Sequence, residues 1–153
     1  MQKFNCFNIR IRTNYRMIQK SITLRLVSTH DFRFLFNLLK ERDSKANISH
    51  KKMPNYLEHV KFVKSKPYSK WYVIENSKIK IGSIYLSKNN EIGIFLKKAY
   101  QRSGFADKAL QILMKKNPRD RYLANVNPKN LRSINFFKKN NFKLIQYTFE
   151  LEK

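Results

Sequence analysis

The 153-residue chain is 42% hydrophobic and has a formal net charge of +23, from 33 Lys and Arg against 10 Asp and Glu. These values fit one globular domain, and the lack of an uncharged apolar run of about 18 residues argues against a transmembrane helix. The single cysteine, Cys6, excludes an internal disulfide and a multi-cysteine zinc site, so we expect a cytoplasmic protein without a bound metal.

The first 21 residues differ in composition from the rest of the chain. They carry several basic side chains and no acidic one, and they lack the apolar core of a signal peptide. We therefore expect residues 1–21 to be a poorly ordered basic extension that precedes one folded domain, residues 22–153.

A strand and two helices are predicted next. The alternation of apolar residues in Ile22–Val27 indicates a strand. Ser28 or Thr29 is a suitable N-cap for a helix that continues to about Arg42. Pro54 is typical of the first position of a helix, and the apolar residues that follow it recur at helical spacing.

The remaining chain alternates between strands and helices. Three strands of an antiparallel meander are predicted at Trp71–Glu75, Ile79–Leu86 and Glu91–Leu96. Asn76-Ser77 and Asn89-Asn90 are suited to the tight turns between them. The later elements are a helix at 104–116, a strand at 121–126, a helix at 130–140 and a strand at 142–151. Asn141 is suited to a left-handed cap after the second of these helices.

The turn at residues 100–106 is the strongest candidate for a ligand site. It joins a predicted strand to a predicted helix, whose first backbone N–H groups have no partner within the helix. Ser103 or Gly104 can adopt the dihedral angles of an anion-binding nest, so the turn predicts a diphosphate site. The alternative is an ordinary turn. Neither a P-loop nor a G-x-G-x-x-G motif is present.

Two motifs resemble those of the GNAT family of acyl-CoA N-acyltransferases. Gln101-x-x-Gly104-x-Ala106 is similar to the family signature Q/R-x-x-G-x-G/A. Residues 130–142 are similar to a later helix of the family, with Asn141 where the family usually has Gly. The resemblance covers roughly residues 22–153. It implies a single-domain α/β (α+β) fold, in which a central, mostly antiparallel and splayed sheet is flanked by helices.

The resemblance also implies where acetyl-CoA binds. The donor would lie in a V-shaped gap between strands 91–96 and 121–126, with its pantetheine arm on the first strand and its pyrophosphate on the 101–106 turn. A backbone N–H at 94–96 would bind the oxyanion. The residues implied in donor binding are Phe95, Leu96, Gln101, Arg102, Ser103, Gly104, Phe105, Ala106, Asn130 and Phe137.

Catalytic residues are less clearly indicated. Many family members have Tyr at the position of Phe137, where its hydroxyl protonates the leaving thiolate, and Phe137 excludes that role here. A thiol of pKa about 8.5 needs little assistance to leave. Glu91, His59 and Glu75 are candidates for the base that accepts the amine proton, although each also has an ordinary structural explanation.

The resemblance predicts an enzyme that acetylates a small-molecule primary amine. Three segments, Ile48–His50, Tyr56–His59 and Trp71–Glu75, resemble GNAT members that acetylate amino sugars linked to nucleotides, and the basic charge suits such an acceptor. A protein N-terminus is one alternative acceptor. The other alternative is a non-catalytic GNAT-like module that binds nucleic acid, although the basic residues are scattered along the chain. Family members often pair, so a homodimer is an expectation.

Overall fold

A computed structural model describes residues 21–42, 52–149 and 151. The expected N-terminal extension was residues 1–21; its residues 1–20, with Cys6, lie outside this part of the chain, and so does the segment Ile48–His50. The described elements are β1 (Ile22–Leu26), α1 (Phe32–Lys40), α2 (Tyr56–Lys64), β2 (Lys70–Asn76), β3 (Ile79–Leu86), β4 (Ile92–Leu96), α3 (Phe105–Lys116) and α4 (Leu131–Lys139).

The four strands form one antiparallel sheet in the order β1-β2-β3-β4. Ser77 and Lys78, both with positive φ, form the turn between β2 and β3. The predicted turn was one residue too early, because positive φ at both central positions is what a two-residue hairpin needs for its twist. Asn90, with φ of 62°, lies in the turn before β4, as predicted.

The two N-terminal helices begin differently from the prediction. A short 3-10 turn, Thr29–Asp31, precedes α1 and is capped by Ser28. Pro54 does not occupy the first position of α2, because Asn55 caps that helix. Asn55 and Glu58 form a reciprocal capping box, in which the Glu58 N–H donates to Asn55 Oδ1 at 2.9 Å and the Asn55 N–H donates to Glu58 Oε2 at 2.8 Å. Such a box satisfies two unpaired N–H groups at once.

Two predicted strands are wrong. Within 121–126 only Leu123 pairs, in a single parallel bridge to Glu91. Residues 142–149 and 151 have no regular secondary structure. Apart from the half-buried Phe142, their apolar side chains stay exposed, with Ile145 at 64% and Phe149 at 93%. Alternation indicates which face of a strand would be buried, but it does not supply the neighbouring strand that completes a ladder.

The main core lies between α3 and one face of the sheet. Buried apolar side chains of β1–β4 pack there against Phe105, Ala109, Leu110 and Leu113 of α3. Helices α1 and α2 pack against each other and contribute a second set of buried side chains, including Leu35, Leu38 and Val63. This arrangement leaves α3 to hold the sheet while the α1–α2 pair covers a large cavity.

Candidate active site

The parallel bridge beside β4 marks a splayed gap in the sheet. The Ile92 N–H donates to Leu123 O at 2.8 Å, and the Leu123 N–H donates to Asn90 O at 2.9 Å. Beyond this point no backbone pairing joins β4 to residues 124–127 in the described structure. A cavity of about 670 Å³ is lined by residues 91–95 and 125–127 and by side chains of α1, α2 and α4. This volume is in the range of small-ligand sites.

One wall of the cavity consists of side chains in register across β2, β3 and β4. Trp71 lies opposite Tyr85, which lies opposite Gly93. A Cβ at Gly93 would lie 2.1 Å from Tyr85 Cζ and 2.3 Å from its hydroxyl oxygen, so the absence of a side chain lets the Tyr85 ring extend over β4. The Trp71 Nε1–H donates to Ser83 Oγ at 2.7 Å, which fixes the indole.

Four aromatic rings line one wall of this cavity. The Tyr68 and Tyr85 rings stack, with centroids 3.8 Å apart and an angle of 5° between their planes. Trp71 meets Tyr68 edge-on at 4.9 Å, and Phe62 contacts both Tyr68 and Trp71 edge-on. Sequence analysis did not identify Tyr68 or Tyr85 as site residues.

His59 is a buried titratable side chain in the cavity wall. It projects from α2, is 5% exposed, and packs against the ring of Phe36 at 5.5 Å. Its Nε2 has no hydrogen-bond partner among the described residues. Burial lowers the pKa of His59 below its usual 6.5, which favours the neutral imidazole at neutral pH. A neutral imidazole with an unpaired nitrogen can accept a proton.

The two candidate carboxylates differ in position. Glu91 lines the cavity, where its Oε1 accepts from Asn125 Nδ2 at 2.8 Å and its Oε2 accepts from Ser87 Oγ at 3.2 Å. Glu75 does not line the cavity, and its Oε1 accepts from Arg25 Nε at 2.9 Å. The structure therefore brings His59 and Glu91 into one cavity and leaves Glu75 in an ion-pair network elsewhere.

The turn before α3 has the geometry of an anion-binding nest. Arg102 and Gly104 adopt positive φ, of 62° and 76°, and Gly104 is the N-cap of α3. The left-handed position expected at Ser103 or Gly104 is thus occupied by Gly104, with a second one at Arg102. Apart from its chain neighbours and the adjoining helix backbone, no atom of the described residues lies within 4 Å of the position that a Gly104 Cβ would take, so the backbone there is open to approach.

Gln101 connects this turn to its neighbours. Its Nε2 donates to Leu96 O at 2.9 Å, and its Oε1 accepts a hydrogen bond from Arg132 Nη1. The side chain therefore links the end of β4 to α4. Leu96 and residues 101–106 do not line the cavity; they lie where β4 leads into α3.

Helix α4 contributes a third wall. Asn130 caps it through a hydrogen bond from the Ser133 N–H to Asn130 Oδ1 at 3.1 Å, and both residues line the cavity. Phe137 is buried and lines the cavity with an apolar ring. Asn141 ends the helix with φ of 66°, as predicted. Of the expected donor-binding residues, the cavity includes Phe95, Asn130 and Phe137.

The antiparallel sheet, the splay after β4 and the nest before α3 define an acetyltransferase-like fold. The sequence profile of the family described as Acetyltransferase (GNAT) domain matches residues 21–143. The chain therefore belongs to the GNAT acetyltransferase family, which confirms the predicted family, fold class and enzymatic class.

Solved structures share this fold. A domain from Methanocaldococcus jannaschii DSM 2661 is 20% identical with a TM-score of 0.72, over 86% of this chain and 94% of that one. RimL, the ribosomal L7/L12 α-N-protein acetyltransferase solved with coenzyme A, is 19% identical with a TM-score of 0.68, over 84% of each chain. A spermidine N-acetyltransferase chimera from Vibrio cholerae SpeG and hSSAT is 20% identical with a TM-score of 0.62, over 77% of this chain and 78% of that one.

No curated protein sequence matches the chain. Among the residues that the structure describes, no helix has the length and apolar character needed to cross a membrane. The identities to the solved structures are low, so these structures support the fold and not a particular acceptor.

Proposed function

We propose that this protein transfers the acetyl group of acetyl-CoA to a primary amine, and that the amine belongs to an amino sugar carried on a nucleotide. The observation that carries the proposal is the cavity between splayed β4 and residues 125–127, with His59, whose Nε2 has no partner among the residues described, in its wall. A donor and an acceptor that meet in one cavity react as if within one molecule.

The donor side fits acetyl-CoA in two respects. The edge of β4 that faces residues 124–127 is unpaired beyond the bridge at Glu91, in the part of the chain described, and can accept an extended pantetheine arm near Phe95 and Leu96. The nest at Arg102 and Gly104 suits the pyrophosphate, because it combines open backbone with the positive end of α3.

We assign the base to His59. Its neutral imidazole would accept the proton of the attacking amine, while a backbone N–H of β4 at 94–96 would bind the oxyanion of the tetrahedral intermediate. Glu91 is the second candidate, but both of its carboxylate oxygens accept hydrogen bonds from neighbouring side chains. Glu75 is the weakest of the three candidates, because it pairs with Arg25 outside the cavity.

The acceptor assignment rests on the chemistry of the cavity wall. Aromatic rings offer stacking surfaces for a planar base, and three cationic side chains that line the cavity, Lys40, Arg42 and Lys52, suit a diphosphate. The net charge of +23 disfavours a polyamine, although one neighbour in fold is a spermidine acetyltransferase. A peptide N-terminus is the alternative acceptor, since RimL acts on a ribosomal protein.

The donor assignment is tested by calorimetric titration with acetyl-CoA at near-physiological salt. We expect micromolar binding by the wild type and its loss in Gly104→Glu, which places a carboxylate beside the pyrophosphate. Gly104→Asn is the matched control, because Asn tolerates positive φ without adding charge, and it should retain more affinity. Equal affinity of Gly104→Glu and wild type would contradict the phosphate site.

The acceptor is tested by following free CoA release with three classes of amine. We expect faster turnover with a nucleotide-linked amino sugar than with spermidine or a peptide bearing a free N-terminus. Faster turnover of the peptide would replace the sugar assignment by the protein-acetylating one. Nucleic-acid binding with a steep salt dependence and no acetyl-CoA affinity would instead indicate the non-catalytic module.

A further inference from the structure

Phe137 leaves the proposed reaction without the hydroxyl that related enzymes place on this helix. Its ring is buried, lines the cavity, and packs edge-on against Phe142 with centroids 5.1 Å apart. A departing thiolate in a partly buried cavity is less well solvated than one in water, so a nearby hydroxyl would stabilise it. A hydroxyl that stabilises the thiolate has to lie against β4, where the donor is proposed to bind.

The Tyr85 hydroxyl occupies that position. Tyr85 projects from β3, and its oxygen lies only 2.3 Å from the place that a Cβ of Gly93 would take, so it lies directly over the β4 backbone. Gly93 immediately precedes the backbone N–H groups at 94–96 that we propose for the oxyanion. Because a strand advances about 3.3 Å per residue, the hydroxyl lies within a few ångströms of the reacting end of the donor site.

The buried surroundings of Tyr85 keep its hydroxyl protonated. Burial raises the pKa of both Tyr85 and Tyr68, so both are protonated at neutral pH. A protonated tyrosine hydroxyl can donate, so Tyr85 can serve a group bound over β4.

We propose that Tyr85 donates its hydroxyl proton to the leaving thiolate, an inference that rests on the acetyl transfer proposed above. The amine lone pair forms the new C–N bond, and the carbonyl π pair moves to oxygen. When the C=O bond re-forms, the C–S bond breaks and sulfur keeps the pair and takes the proton of Tyr85. The amine proton passes to His59 and returns through solvent to the tyrosinate, so amide and free CoA are the only products.

The test compares Tyr85→Phe with the wild type, using the acceptor found above and two donors. One donor is acetyl-CoA, and the other is the acetyl thioester of an aryl thiol, whose thiolate leaves without protonation. We expect kcat with acetyl-CoA to fall about 100-fold, the lower end of the range for a general acid. The fall should be much smaller with the aryl thioester, and the Kd for acetyl-CoA should not change.

Tyr72→Phe is the matched control. Tyr72 is also buried, but it lies on the opposite face of the sheet, where its hydroxyl is 3.2 Å from Asn117 Oδ1. The Tyr72→Phe variant should leave the kinetics of acetyl transfer unchanged. Phe137→Tyr, combined with Tyr85→Phe, should restore part of the lost kcat, because it returns a hydroxyl to the same cavity.

The outcomes separate this inference from the proposed function. Wild-type kcat in Tyr85→Phe, or an equal loss with both thioesters, would overturn the role of Tyr85 while acetyl transfer stands. A wild type that binds no acetyl-CoA and releases no CoA with any amine would overturn both. A loss confined to acetyl-CoA and rescued by Phe137→Tyr would establish the proton donor.

Discussion

Asp31 and His59 are both buried polar side chains, but they differ in hydrogen bonding. Asp31 is fully buried, and its carboxylate accepts from Arg25 at 2.9 Å through each oxygen and from the Ser28 N–H at 2.8 Å. Lys80 Nζ lies 2.7 Å from Asp31 Oδ1. His59 is buried to a similar extent, yet its Nε2 has no partner among the residues described.

The difference separates a structural polar group from a functional one. A buried polar atom without a hydrogen bond destabilises a protein, whereas a fully bonded one can organise its surroundings. The partners of Asp31 belong to β1, to β3 and to the cap before α1, so its carboxylate connects three elements. His59 lines the cavity, and its Nε2, which has no partner among the residues described, is the atom that we propose to accept the substrate proton.

The largest expected effect comes from removing the Asp31 carboxylate. Asp31→Ala leaves Arg25, Lys80 and the Ser28 N–H without their common partner, so we expect the free energy of unfolding to fall by about 3 kcal/mol. Urea denaturation, monitored by circular dichroism, measures the change. A loss below about 1 kcal/mol would place this cluster among ordinary surface ion pairs and remove the contrast with His59.

Glu75→Gln is the control for this cluster. Glu75 shares Arg25 with Asp31, but it is partly exposed and makes one hydrogen bond to it. We expect a loss of about 0.5 kcal/mol, as for exposed pairs. A loss of unfolding free energy equal to that of Asp31→Ala would mean that the contacts of Arg25, and not the buried carboxylate of Asp31, account for most of the cluster's contribution to stability.

Replacement of His59 should lower activity and leave stability nearly unchanged, the reverse of the effect expected for Asp31→Ala. His59→Gln removes the proposed base and should lower kcat/KM about 100-fold, which is the lower end of the contribution of a general base. Stability should change little, because the imidazole Nε2 makes no hydrogen bond, within the described part of the chain, that the variant would lose. Steady-state kinetics and urea denaturation, measured on the same preparation, check both parts. Unchanged kinetics would transfer the role of base to Glu91.

The pH dependence of wild-type activity should show the same base. Burial lowers the pKa of His59 below its usual 6.5, so the neutral form that accepts a proton persists into mildly acidic solution. We expect a limb of kcat/KM that falls with decreasing pH and has its midpoint below 6.5. His59→Gln should lack this limb while the titration of the acceptor amine remains. A midpoint above 6.5 would contradict a buried neutral imidazole.

Titration of Asp31 should affect stability instead of activity. Burial opposes its ionisation, but hydrogen bonds from Arg25, Lys80 and Ser28 outweigh burial and hold the pKa of Asp31 well below its usual range. A carboxylate with a lowered native pKa stabilises the fold above its unfolded pKa of about 4, and the contribution is lost as pH falls further. The gap in stability between wild type and Asp31→Ala should therefore be constant at neutral pH and shrink in acid.

Sequence reasoning identified features that short-range chemistry determines. Gly104 as a left-handed helix start and Asn141 as a left-handed C-cap both follow from single residue types within a few positions. The two donor motifs contain these residues, which is why the family could be predicted from one sequence. The nest angle at Arg102 was not expected, because Arg does not favour positive φ.

Features that depend on distant neighbours were not predictable in the same way. Residues 121–126 have the composition of a strand but splay from β4, so only Leu123 pairs with it. His59 packs against Phe36 of α1, and its Nε2 has no partner among the residues described; no local pattern encodes either feature. Tyr85 reaches over Gly93 because two strands align in one particular register, and a shift of one residue would reverse its face.

The smallest predicted effect tests whether an unpaired buried atom is enough to indicate function. Asn76 Oδ1, at the end of β2, is also buried without a partner in the described structure, but Asn76 does not line the cavity. Asn76→Thr should raise the free energy of unfolding by no more than about 1 kcal/mol, since a strand residue replaces an unpaired carbonyl. Acetyl transfer should be unchanged. Loss of activity in this variant would mean that position in the cavity does not distinguish His59 from Asn76, and the base would then have to be assigned from kinetics alone.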